Sequence, residues 1–125
     1  ISDTIDVYDA LIVNFGLKID VNVNNRTDFA TALAKIRQKV FEEINNVTPE
    51  IGQAFSVGEV EKILNSMPDI NRVNSVRVTN KIGSGYSDTR LDVPSNLSPD
   101  GGLVYLPENC IWEVKNSLDI TGMIR

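Results

Sequence analysis

The 125-residue chain contains no histidine and a single cysteine, Cys110. A serine or cysteine nucleophile is usually activated by a neighbouring base, most often histidine. The Ser-His and Cys-His classes of catalyst are therefore excluded for this chain acting alone, and so are zinc sites built from cysteine and histidine. One thiol cannot close an internal disulfide, which agrees with a reducing compartment. Cys110, between Asn109 and Ile111 in an expected strand, reads as a structural thiol. No apolar run approaches the roughly 20 residues of a membrane-spanning helix. Basic residues are also in deficit: 12 Lys and Arg stand against 17 Asp and Glu, a net charge of −5. The cations are scattered along the sequence, so neither nucleic acid nor an anionic membrane is an expected partner.

Hydrophobic residues make up 42% of the chain and charged residues 23%, the ordinary balance of a globular protein. The length suits one domain over residues 1–125, with an α/β core to residue 79, a long loop over 80–102 and strands in 103–125. The chain opens at Ile1 without a signal-peptide pattern and reads as the C-terminal fragment of a longer protein. Residues 1–12, where Asp3, Asp6 and Asp9 alternate with apolar positions, suit either a lead-in strand or a short helix. After them Phe15, Leu17, Ile19, Val21 and Val23 alternate with Gly16, Lys18, Asp20, Asn22 and Asn24. Side chains alternate across a strand, so this segment has one dry and one wet face.

From Thr27 to Asn45 the apolar residues Phe29, Leu33, Ile36, Val40 and Ile44 recur every three or four positions, which predicts an amphipathic helix. Asn25 or Thr27 is the expected cap, with Asp28 in the first turn. Thr48-Pro49 stops this helix, and Ile51 to Phe55 is a brief extended segment. A second helix has a capping box in Ser56 and Glu59, with Phe55 and Val60 as the flanking hydrophobic staple. Its buried stripe is Val60, Ile63, Leu64 and Met67, and Pro68 closes it. Val73 to Val78 then reads as a second long strand. The predicted fold is α+β: a small mixed sheet covered on one face by two amphipathic helices, in the order β-α-β-α-β, with a long irregular loop and a C-terminal strand pair at 103–106 and 111–114.

The stretch from Asn80 to Gly102 is rich in Gly, Ser, Asp and Pro. A structureless run of this length inside a compact domain usually marks a functional or partner-ordered loop. Its Asp88, Asp92 and Asp100, like Asp3, Asp6 and Asp9, do not have the spacing of a calcium loop and read as solvated acids. Gly83-Ser84-Gly85 has neither the third glycine nor the following helix of a phosphate-binding loop. No cofactor, metal or small-molecule substrate is expected. The formal glycosylation acceptors at Asn25, Asn46 and Asn96 read as chance matches in an Asn-rich chain.

Binding hot spots favour Tyr, Trp and Arg, which bury large areas and keep a polar handle. Tyr86, Arg90, Tyr105 and Trp112 are the residues of that kind here, with Trp112 read first as core. Ala30, Ala34 and Phe41 widen the apolar face of the first helix. The interface candidates are therefore Ala30, Ala34, Phe41, Tyr86 and Arg90. The expected behaviour is self-association, most simply as a homodimer.

A family resemblance runs through Ile19-Asp20-Val21-Asn22-Val23, Ala32-Leu33-Ala34-Lys35-Ile36 and Pro49-Glu50-Ile51-Gly52-Gln53-Ala54-Phe55-Ser56. It continues through Glu59-Val60-Glu61-Lys62-Ile63-Leu64 into Asn71-Arg72-Val73-Asn74-Ser75-Val76-Arg77-Val78. This order resembles the C-terminal domain of baseplate-J-like proteins over Val7 to Val78. The tail, with Leu106-Pro107-Glu108-Asn109 and Ile111-Trp112-Glu113-Val114, looks like the baseplate wedge proteins of T-even-type contractile-tailed phages. Asn74 departs from the pattern, since many relatives place Gly there. The resemblance implies a virion component assembled in the host cytoplasm, not an enzyme, that contacts copies of itself as a dimer or ring and neighbouring wedge subunits. The rival expectations are a metal-dependent hydrolase or nuclease using the loop carboxylates, and a free-standing ligand-binding α+β domain.

Overall fold

In the computed structural model, residues 10–24 and 28–125 are described. The readings made for residues 1–9, for Asn25 and Thr27 as caps and for the acceptor at Asn25 lie outside them. The fold is α+β, with two helices, a four-stranded sheet and a second sheet of two strands. The central strand β1, Leu11–Val23, carries the predicted alternation: Val13, Phe15, Leu17, Ile19, Val21 and Val23 are all buried.

Helix α1, Phe29–Asn45, is capped by Asp28, whose carboxylate accepts the Thr31 N–H at 3.0 Å. Asp28 is thus the cap itself and not a first-turn residue, and the bonds from the Thr31 N–H and hydroxyl hold its carboxyl below the usual carboxylate range. The buried line is Ala32, Ile36, Val40 and Ile44. Phe29, placed in the core stripe by its spacing, is 53% exposed. Phe29 stands seven residues before Ile36, on the same side of the helix, but it is the first residue of α1, at the helix end.

Strand β2, Phe55–Ser56, runs directly into α2, Val57–Asn65. Ser56 caps that helix by accepting the Glu59 N–H at 3.1 Å, as the sequence predicts. Val57, Val60 and Leu64 are buried, and Ile63 and Met67 pack against the core from the side. The extended segment expected from Ile51 shrinks to β2, because Ile51-Gly52 form a turn. Strand β3, Ile70–Asn80, pairs antiparallel with β1 and carries two bulges, the first of which loops out Asn74. Its Ile70, Val73, Val76 and Val78 lie opposite Val23, Val21, Ile19 and Leu17, and so they join the helix-covered face.

The two tail strands exist, but each has its own partner. Strand β4, Leu103–Val104, pairs with β2 in the small sheet, while β5, Cys110–Glu113, runs parallel to the first residues of β1. A further strand, β6, Ile120–Ile124, lies parallel to β1 just beyond β5. The long central strand thus has β3 along one edge and β5 and β6 end to end along the other. No part of the sequence reading pointed to β6, because Gly122 interrupts its alternation of Ile120 and Ile124. A Cβ on Gly122 would stand 2.6 Å from Cγ1 of Ile19, so only glycine lets the two strands close there. An edge-to-face aromatic row joins the layers, with Phe15 to Phe55 at 5.5 Å and Phe55 to Trp112 at 4.9 Å between ring centroids.

Candidate interaction surface

Ala30, Ala34, Arg37 and Phe41 follow one another at steps of four, three and four, which makes them one stripe of α1. The Arg37 Nε donates to the Ile120 carbonyl at 2.9 Å, so this stripe faces the turn before β6. Ala30 and Ala34 are exposed, whereas Phe41 is half-buried against the core. Beside the stripe, Leu118 of the 3-10 turn Ser117–Asp119 is 71% exposed, and Met123 of β6 is 54% exposed. The outer edge of β6 pairs with no strand among the described residues. Tyr86 reaches the same turn, donating its hydroxyl proton to Asp119 Oδ1 at 2.6 Å. That bond, partly opposed by one from Asn116, holds the Tyr86 phenol above its ordinary 10.0. Four of the five candidates thus gather along the β6 flank. Arg90 is exposed, with no ion pair among the described residues.

The 80–102 loop is fastened by its own chain. Asn14, buried in β1, accepts the Ser87 N–H on its side-chain oxygen at 2.7 Å and donates to Glu113 Oε1 at 2.9 Å. The Asn80 side chain donates to the Asn14 carbonyl and accepts the Leu91 N–H at 2.9 Å. Lys115 donates to the Gly85 carbonyl, and its ammonium and that of Lys81 lie 6.0 and 5.9 Å from the Tyr86 ring centroid. Further on, Val93 is buried, and the Ser98 hydroxyl accepts the Leu103 N–H while donating to Asp100. Two of the three loop acids are engaged locally: Asp92 accepts from Ser95 at 2.7 Å, and Asp100 accepts from Ser98 and the Gly102 N–H. Among the described residues no three His, Cys, Asp or Glu form a group suited to a metal ion.

A cleft opens where the end of α1, the start of α2 and β5 meet. Its two lobes, about 460 and 310 Å³, share Val47 and Trp112 in their walls. Val47 is 64% exposed. The Trp112 Nε1 is buried without a hydrogen-bond partner, an uncommon state for an indole N–H. The charged residues lining the cleft are Glu43, Glu59 and Glu113, and no Lys or Arg lines it. Trp112 therefore belongs partly to the core, through Phe55, and partly to this opening. Cys110, the first residue of β5, is buried, and burial pushes its thiol up.

The sheet face away from the helices is open and has the opposite charge. Its β1 positions are Lys18, Asp20 and Asn22, facing Arg77, Ser75 and Arg72 of β3 on one side. On the other side Thr121 and Met123 of β6 lie beside Lys18 and Asp20. Arg125 follows and binds Asp20 with both Nε and Nη2, at 2.9 and 3.3 Å. The bulged Asn74 donates to Asp20 and Asn22. Bonding to Arg125 first, then to Asn74, holds the Asp20 carboxyl below its ordinary 3.8. Lys18 and Arg77 stand directly opposite each other, both exposed and neither in an ion pair among the described residues. Like charges in that position destabilise a strand pair.

Sequence reasoning missed Asn14, Asp119 and this Lys18–Arg77 pair. Asn14 carried a weak signal, a polar residue of low strand propensity at the start of an apolar strand. The pairing of residues 59 positions apart carried none, since cations scattered in sequence meet only through register. Compared with protein-family models, curated proteins and solved structures, the chain matches none of them.

Proposed function

We propose that this chain is a structural, self-associating subunit, a packing unit of a contractile-tail baseplate of the wedge-protein kind. One observation carries the self-association. Apolar surface is exposed in two separate places, at Leu118 and Met123 along the unpaired edge of β6 and at Val47 and Trp112 in the cleft. Surfaces of this kind on a small domain favour burial against another chain. The baseplate assignment rests on the resemblance of the residues from Ile19 to Val78 and of the tail around Trp112. Its partners are then further copies of itself and neighbouring wedge subunits, and its place is the virion. A hydrolase reading would draw on Asp88 and Asp92, both exposed in the loop.

Sedimentation velocity at micromolar concentration tests the self-association: the wild-type chain forms dimers or larger species, and Leu118→Glu shifts it toward monomer. Leu118 is mostly exposed, so this variant keeps its fold. Cross-linking mass spectrometry on purified contractile-tail particles that carry the chain tests the assignment. Cross-links to tail-baseplate proteins are expected, and a chain found only outside such particles overturns it.

A further inference from the structure

We infer that the open sheet face of one copy docks on the acid-lined cleft of the next, so that self-association is head-to-tail. This rests on the self-association proposed above and names the two surfaces that meet.

Three observations support it. First, the sheet face carries Lys18, Arg72, Arg77 and Arg125 against two carboxylates, Asp20 and Glu113, in a chain whose net charge is −5. Asp20 is already occupied by Arg125. The Lys18–Arg77 juxtaposition costs stability within the monomer, and a carboxylate from outside would remove that cost. Second, the cleft walls carry Glu43 and Glu59 and no cation, and Glu113, already counted on the sheet face, reaches its edge. Glu43 is paired with Lys39 at 2.9 Å, whereas Glu59 makes no ion pair among the described residues. Third, each surface has an apolar centre: Met123 amid the cations, and Val47 with Trp112 amid the acids.

The first surface is the face of the sheet that the helices leave open, and the second lies at the end of α1, against β5 and the start of α2. A contact between them joins unlike patches. It is therefore heterologous, and repeated copies close into a ring or extend as a filament, unlike a two-fold dimer. Complementary charge across such a contact sets partner choice and register.

Charge reversal in two halves tests this in sedimentation velocity. Arg77→Glu should leave the fold intact, because it replaces a like-charge pair with an opposite-charge pair, and should leave the chain monomeric. Glu59→Lys should also be monomeric, and Glu43→Lys provides a second cleft variant should the helix start not tolerate the first. Mixed together, the sheet-face variant and a cleft variant should associate one to one. In that mixture both junctions between unlike variants are matched, one with its charges reversed and one wild-type, while contacts between like variants repel, so alternating species larger than a dimer should form. Wild-type association should weaken as salt rises from about 0.05 to about 0.5 M, as screening shortens.

A wild type that associates while Arg77→Glu and Glu59→Lys leave it unchanged overturns the two faces and leaves self-association standing. Two monomeric variants that stay monomeric when mixed overturn the pairing of these surfaces. A wild type monomeric at every concentration overturns self-association and this inference together. So does a monomeric wild type that binds an oligoglutamate peptide or single-stranded oligothymidylate through the sheet face, since the face then has another occupant.

Discussion

At the scale of single residues, the open face concentrates the informative chemistry. Lys18 and Arg77 face each other without a carboxylate between them, while Asp20, one position along that face, holds Arg125 and Asn74. Arg77→Glu should raise the stability of the isolated chain by roughly 0.2–1 kcal/mol, the range of a cross-strand charge pair. The gain should appear as a higher urea midpoint at low salt and shrink at high salt, and an unchanged midpoint at low salt would show the pair to be fully screened. The carboxylates of Asp20, Asp28 and Asp100 are all held below their ordinary 3.8 by hydrogen bonds to their charged forms. A carboxyl depressed in the folded chain binds fewer protons than in the unfolded chain. Its contribution is complete above 3.8 and is lost as pH falls from there through the lowered folded value. The melting temperature should therefore drop on acidification below about pH 4, and Asp20→Asn should flatten part of that drop. A melting curve equally steep in the variant would assign the acid sensitivity to other groups.

At the scale of elements, each helix is held by a cap and a line of buried side chains. Leu64, fully buried in the short helix α2, touches the core under the sheet. Leu64→Ala should cost roughly 2–5 kcal/mol in denaturant melts, and a cost below about 0.5 kcal/mol would place Leu64 on the surface. Strand β6 depends on a missing side chain. With Cβ added at Gly122 the nearest atom of Ile19 is 2.6 Å away, so Gly122→Val should cost about 1–3 kcal/mol through overpacking. Hydrogen exchange should also show the amides of residues 120–124 opening ahead of those in β3. Unaltered protection across β6 would show that Ile19 can move aside. Much of this level was legible in advance. The Ser56–Glu59 spacing predicted the start of α2, and strict alternation predicted β1. The strand β6 was not legible, because a glycine at its centre and an edge position leave too few apolar residues to mark the period.

At the scale of the molecule, the arrangement has two unlike sides: a cation-bearing open sheet, and a helix layer with an acid-lined apolar opening. The 80–102 loop, which by composition suggests a segment waiting for a partner, is closed onto the domain by Asn14, Asn80 and Ser98. Its exposed acids Asp88 and Asp92 give a direct comparison of the structural and hydrolytic readings. Mg²⁺ or Mn²⁺ titration followed by calorimetry should give no saturable heat in the micromolar range. Tight binding lost on replacing Asp88 and Asp92 with Asn would promote the hydrolase reading.

The sequence by itself determined the periodic features: the buried face of β1, the two amphipathic helices, the cap of α2 and the α+β class. These are set by neighbours within a few residues, where spacing alone fixes which side chains share a face. Only the tertiary structure decided which distant residues meet. It sent β4 and β5 to different sheets and placed Asp119 under Tyr86. It made Asn14 the anchor of a loop some 70 residues later, and it set Lys18 against Arg77. Those contacts follow from strand register and chain return, which depend on how the whole core packs. In this protein the candidate surfaces are made almost entirely of such contacts.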